Sequence, residues 1–332
     1  MKAVSLFSGC GGSDAGVIAA GFEVVMANDV IAYARDAYLA NLPPTDYVLG
    51  DVAKISAFPS AELLVGCYPC QGFSQGGARE ADRSINRLYL EFARALGQIQ
   101  PKAFIAENVS GLRHANYQHI LNDQIAKFSA AGDHGYDVVW QELKAHDYGV
   151  PQERKRLVIV GLRRDLGLRY TFPQPTHGPA AALACVNIGQ ALDGLPEWPA
   201  GEFCDDEFHW YYLSRNRRRD WGEISKTMVA HMRHMPLHPI SPPLRRIHTD
   251  KWEFEGDASR ARRFSFREAA RLQGFTTDYL AHGGDFVFPD ECRHAVGTRE
   301  GNLMRYRYKV IGNAVPPPLF RAVAGALPDV WS

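Results

Sequence analysis

Ala3-Val4-Ser5-Leu6-Phe7 runs into Ser8-Gly9-Cys10-Gly11-Gly12 and then into Ser13-Asp14-Ala15-Gly16-Val17-Ile18-Ala19-Ala20. The apolar pentad reads as a short strand, the glycines end it, and the last stretch is helical in pattern with Asp14 near its start. The alternation continues outward. Phe22 to Ala27 reads as a strand ending at Asn28-Asp29, and Ile31 to Leu39 as a helix stopped by Pro43-Pro44. Tyr47 to Leu49 leads to Gly50-Asp51-Val52; Leu63 to Val65 is a further strand; Leu88 to Gln98 is a helix. Ala103 to Ala106 is a buried-strand run ending at Glu107-Asn108-Val109. Strands alternating with helices predict an α/β fold, a parallel sheet covered on both faces. In such a sheet ligands bind outside the carboxyl ends of the strands. Asp29, Asp51, Cys70 and Glu107 all fall at those ends.

Composition sets the outer limits. The chain has 332 residues, 46% hydrophobic and 22% charged, which suits one large globular domain or two. Its formal net charge is zero, so charge must be read locally. The 6 cysteines are irregularly placed and do not form a disulfide framework, which fits a reducing cytosol. No run approaches the ~18 apolar residues of a membrane span, and the N-terminal apolar stretch is too short for a signal peptide.

Two loops carry the chemistry. In the first, the glycines after the first strand let a ligand approach the backbone, and the following helix offers free N–H groups. The run departs from G-x-G-x-x-G, which disfavours a dinucleotide. Asp29, about 20 residues on, suits a ribose hydroxyl pair, and Asp51 suits an adenine amine. Ribose and adenine without a phosphate cradle point to S-adenosylmethionine. The second loop is Leu64-Val65-Gly66-Cys67-Tyr68-Pro69-Cys70-Gln71-Gly72-Phe73-Ser74-Gln75-Gly76-Gly77. Glycine and proline exclude regular structure there, so Cys70 stands on a loop at a strand end, where a nucleophile belongs. Cys67 and Cys70 alone are half a zinc site at most, and no further pair of ligands lies close by; the expectation is no metal.

With these motifs the chain resembles the DNA (cytosine-5) methyltransferases of the bacterial restriction–modification type. The resemblance runs end to end. It rests on Phe7 to Gly12, Asn28-Asp29, Gly50-Asp51, Pro69 to Ser74, Glu107 to Val109 and Pro151-Gln152-Glu153-Arg154-Lys155-Arg156. Arg267 to Phe275 and Gly312-Asn313-Ala314-Val315-Pro316 complete it. It implies a Rossmann-like S-adenosylmethionine-dependent methyltransferase sheet with a smaller, irregular target-recognition domain. The implied divisions are residues 1–165 catalytic, 166–262 recognition and 263–332 a return that completes the cofactor pocket. Cys70 would add to carbon 6 of a flipped-out cytosine, making carbon 5 reactive toward the methyl group. Glu107 would act at ring nitrogen 3, Arg156 would hold the base and Glu107, and Arg154 would contact the nucleotide. The cofactor pocket would comprise Phe7, Gly9, Gly11, Gly12, Asp29, Val30, Asp51, Val52, Pro69, Asn313 and Val315, and its product would be S-adenosylhomocysteine.

Between the arginine pair and Arg267 the texture changes. From Tyr211 to Arg263 there are twelve Lys/Arg against six Asp/Glu, interleaved with Trp210, Tyr211, Tyr212, Trp221 and several histidines. That is the footprint of a nucleic-acid surface. Arg215, Arg217 and Arg233 are the expected readers of double-stranded DNA, with Gln71, Ser74 and Arg87 touching it from the thiol loop. A monomeric cytoplasmic enzyme, associated with the nucleoid when acting, is the implied setting; whether a cognate restriction endonuclease is encoded separately, or the enzyme is an orphan, stays open. Two rivals stay open: a tRNA-methylating enzyme of the same fold, whose Cys-Phe-Thr signature is absent here, and an inactive DNA-binding paralogue.

Overall fold

The computed structural model describes residues 1–69, 87–291 and 300–329, without the side chains of residues 300–302. Nine strands and eight helices are assigned among the described residues. In the first half these are β1 (Lys2–Leu6), α1 (Gly12–Ala19), β2 (Glu23–Asp29), α2 (Ala32–Asn41), β3 (Asp46–Leu49), β4 (Leu63–Gly66) and α3 (Leu88–Ile99). Then come β5 (Ala103–Val109), α4 (Gln118–Ser129), β6 (Tyr136–Lys144) and β7 (Lys155–Arg163). The rest comprises α5 (Ile188–Leu192), β8 (Leu244–His248), β9 (Lys251–Phe254), α6 (Phe266–Leu272), α7 (Glu300–Asn313) and α8 (Pro317–Gly325).

The sequence-predicted elements of the first half are present, with ends shifted by one to three residues. Seven strands form one sheet in the order β3-β2-β1-β4-β5-β7-β6. Strands β1 to β5 pair in parallel, which matches the expected Rossmann-like sheet. The expectation of an all-parallel sheet is corrected at one edge. β7 runs antiparallel between β5 and β6. The short connection from Lys144 to Lys155 explains this, because a parallel neighbour would require a long crossover.

Alternating side chains along the strands feed two cores, one per face. Ala3, Val65 and Ile105 pack with Val17 of α1 and with Phe320 and Val323 of α8. Their neighbours Val4, Leu64 and Phe104 face Phe92 of α3 and Phe128 of α4. The last helix thus covers the same face as the first. A third core joins Tyr33 and Ala37 of α2 to α5, α6 and α7 and to Met228 and Met235. Residues 166–262 hold little regular structure: α5, the β8–β9 hairpin and single 3-10 turns. No helix among the described residues is long and apolar enough to cross a membrane.

Candidate active site

The sheet order converts separated motifs into one edge. β1, β2, β3, β4 and β5 end side by side, with Leu6 opposite both Asn28 and Gly66, and Gly66 opposite Ala106. Because β7 is antiparallel, its first residues arrive at the same edge, and Arg156 faces Val109. The turn after β1 and the loop after β4 therefore adjoin at the point where the strand order reverses, where open α/β sheets bind ligands.

The turn after β1 is tightly specified. Phe7 adopts φ 59°, a rare conformation for a bulky side chain and a mark of a functional turn. Gly11 has φ 88°, and a Cβ on it would meet Leu42 Cδ1 at 2.3 Å. Asp29 accepts from Gly9 N (3.0 Å) and Ile31 N (3.0 Å), and Tyr47 Oη donates to the Gly9 carbonyl (2.9 Å). Burial pushes the Asp29 carboxyl above its usual range, against the pull of these amides. Below the turn, buried Asp14 accepts from Ser5 Oγ (2.6 Å) and Ser13 Oγ (2.9 Å). Open space lies beside Gly9 and Gly50. Val30 is 65% exposed next to Asp29, and Asp51 is exposed with one oxygen capping Ala53 N (3.0 Å). Val52 and Val315 are buried, and Asn313 is exposed. A Cβ on Gly12 would stand 2.1 Å from the Val315 carbonyl oxygen, so the two ends of the chain touch at this turn. Open space beside the glycines, one half-buried carboxylate and an exposed aliphatic side chain suit an adenosine-bearing cofactor.

At the neighbouring strand ends, Arg156 Nε lies 2.6 Å from Glu107 Oε1. The pair is a cross-strand diagonal: Glu107 stands opposite Val158, on whose face Arg156 also projects. Burial pushes the Glu107 carboxyl up, against the pull of Arg156 and then Arg154. Asn108 Oδ1 accepts from Val109 N (2.8 Å), and its amide reaches toward the Tyr68 carbonyl (3.5 Å) beside Pro69. Cys70 itself, with Gln71 and Ser74, lies outside the described residues. Cys67 is half-buried, and burial raises its thiol well above the ordinary value, which makes it a poor nucleophile. Cys10 is buried against the Val310 carbonyl (3.4 Å), as packing requires.

Arg154 requires a correction. It precedes β7 and does not share the direction of Arg156. Its side chain is 1% exposed. Its guanidinium donates to the carbonyls of Met228 (3.2 Å), Gly312 (3.2 Å) and Ala314 (2.8 Å), not toward an open site. Arg217 is half-buried over the Tyr212 ring (4.9 Å), with its Nε donating to the Tyr212 carbonyl (3.1 Å). Arg233 is exposed but paired with Asp206 (2.5 Å). Arg215 is exposed and lies over the Tyr211 ring (5.9 Å). Arg87 is exposed at the start of α3. His231 and His234 stack at 4.6 Å, whereas His238 is buried elsewhere beside Glu268.

Sequence reading missed the buried amides. Gln152 Nε2 donates to the Leu272 carbonyl (2.8 Å) and Gln273 Oε1 (2.7 Å), its Oε1 accepts from Met228 N (3.1 Å), and Gln273 donates to the Ala314 carbonyl. Both glutamines lie within the quoted motifs, but nothing local marks either as a partner of the other.

Comparison with known proteins gives a consistent answer. The profile of the family described as C-5 cytosine-specific DNA methylase matches residues 1–329. The type II methyltransferase M.BsuRI of Bacillus subtilis is 34% identical over 367 aligned positions, covering 100% of this chain and 80% of that one. M.BspRI of Lysinibacillus sphaericus is 37% identical, covering 92% of this chain and 70% of that one. Among solved structures, a prophage-encoded DNA modification methyltransferase from E. coli superposes with a TM-score of 0.68 at 23% identity, over 98% of both chains.

Proposed function

We infer a mechanism from this premise: the chain belongs to the C-5 cytosine-specific DNA methylase family. It is a DNA methyltransferase that modifies carbon 5 of cytosine. The observation that carries its own mechanism is the Glu107–Arg156 pair (2.6 Å), at the sheet edge that also bears the glycine turn and Asp29.

We propose S-adenosylmethionine as the methyl donor. When bound, it supplies an electrophilic methyl group and leaves as S-adenosylhomocysteine. Phe7, Gly9, Gly11, Gly12, Asp29, Val30, Asp51, Val52, Pro69, Asn313 and Val315 would hold it, Asp29 at the ribose and Asp51 at the adenine amine. The substrate is a cytosine flipped out of duplex DNA, since carbon 6 is unreachable in the stack. The Cys70 thiolate adds to carbon 6, and the electron pair moves toward ring nitrogen 3. Glu107 donates a proton or hydrogen bond there, and Arg156 holds Glu107 and the base. Carbon 5 takes the methyl group, a base (water suffices) removes its proton, and the thiolate departs.

Residues 166–262 act as the recognition domain, and residues 263–332 complete the cofactor pocket. The protein acts as a cytoplasmic monomer on DNA. The direct test is incubation with duplex DNA carrying 5-fluorocytosine and S-adenosylmethionine. Fluorine blocks the final elimination, so a denaturation-stable adduct is expected, lost in Cys70→Ser. Adduct formation by Cys70→Ser at the wild-type level would refute the assignment. Methylation of tRNA but not of duplex DNA would move the chain to the rival branch.

A further inference from the structure

Arg154 is a buried cation whose assigned hydrogen bonds all run to neutral carbonyls. Burying a charge that Glu107 attracts only from beyond ion-pair distance is costly, and an apolar side chain would fill the space at less cost. Its acceptors explain its retention. Gly312 stands in the last turn of α7, and Ala314 lies just beyond it. The unpaired carbonyls there carry the negative end of the helix dipole, which a cation satisfies and stabilises.

The location of that helix end matters. Gly312 packs so closely on the chain that a Cβ would stand 2.2 Å from Val229 C, so the helix end cannot shift toward the recognition segment. Gln273 adds a second donor to the Ala314 carbonyl. The next residue, Val315, presses its carbonyl onto Gly12. Arg154 is thus the cap that decides where the α7–α8 junction meets the glycine turn. It is also two residues from Arg156, so one short segment sets both the cofactor wall and the Glu107 partner.

We propose that Arg154 is a positioning residue of the cofactor pocket: by capping α7 it holds Asn313 to Val315 against the glycine turn, and it does not touch the flipped base. This rests on the cofactor reading above. The test compares wild type, Arg154→Met, Arg154→Lys and Tyr136→Phe, the last a core change that loses a bond to the Pro101 carbonyl at the opposite end of the sheet. S-adenosylhomocysteine affinity is measured by calorimetry, and the 5-fluorocytosine adduct is measured at saturating S-adenosylmethionine. Arg154→Met is expected to weaken the cofactor about tenfold or more, equivalent to ~1.4 kcal/mol, while retaining adduct formation at saturation. Arg154→Lys, which keeps the charge and part of the donor set, should lose about threefold, and Tyr136→Phe should lose stability alone. Unchanged cofactor affinity in Arg154→Met would overturn the proposal, and loss of the adduct with normal cofactor affinity would return Arg154 to the base. If Arg154→Met does not fold, Arg154→Lys decides alone: affinity within error of wild type overturns it. Failure of wild type to bind S-adenosylhomocysteine would overturn the cofactor reading and this inference with it.

Discussion

The sheet half and the loop-rich segment of residues 166–262 solve the same problem in opposite ways. In the sheet, backbone polar groups pair with one another along seven strands. Between residues 166 and 262 the backbone has few such partners, and arginine side chains take their place. Arg263 donates to the carbonyls of Cys204 (3.1 Å), Asp206 (2.7 Å) and Arg233 (3.1 Å) beneath the ring of Phe208 (4.2 Å). Arg218 reaches the carbonyls of Ser241 (2.8 Å) and Pro239 (2.9 Å). Arg262 grips Glu268 with two bonds of 2.9 and 2.7 Å. A loop-built domain must satisfy its buried carbonyls somehow, and a guanidinium with five donors does so efficiently. A positive sequence is therefore not by itself a DNA-facing surface.

If chemistry belongs to the sheet half, the largest effect is expected at its edge. Glu107→Gln should lower the methyl-transfer rate by about 10²-fold or more while the melting temperature and DNA affinity stay near wild type; steady-state kinetics with tritiated cofactor read it. Near-normal turnover would break the division of labour. If arginines build the loop-rich segment, Arg263→Met should destabilise it by on the order of 3 kcal/mol, because several buried carbonyls lose their donors together. Limited proteolysis and calorimetry should show that region opening first, and a variant of wild-type stability that merely binds DNA less well would reverse the reading.

Acid sharpens the same contrast. His238 is buried, and burial, then the charge of Arg262, depress its pKa to about 3. A depressed pKa stabilises fully above the unfolded value of about 6.5, and that contribution is lost as pH falls, at up to ~1.4 kcal/mol per pH unit. Melting curves between pH 7 and 4.5 should fall less steeply for His238→Asn than for wild type; parallel curves would contradict the linkage. The smallest effect is expected at Arg215, exposed over Tyr211. Arg215→Ala should weaken DNA binding by a few fold and reduce the salt slope by about 1, with no change in melting.

How far the sequence could be read depends on how local each signal is. The glycine turn, Asp29 and Glu107 were legible because a strand, its break and its polar terminus occupy adjacent positions. Strand β6 was missed: its middle is largely exposed, so it lacks the apolar run of a buried strand. The partnership of Gln152 with Gln273 had no signal, since 121 positions separate them. Arg154 and Arg156 share one motif, yet one caps a helix from the other end of the chain and the other pairs with Glu107.

The sequence by itself determined the family, the α/β layering and the thiol, carboxyl and glycine motifs, because these depend on residue order and short-range periodicity. Only the tertiary structure decided which arginines face carbonyls and which face solvent. A guanidinium's role depends on the acceptors that folding brings to it, and those come from segments tens to hundreds of residues away.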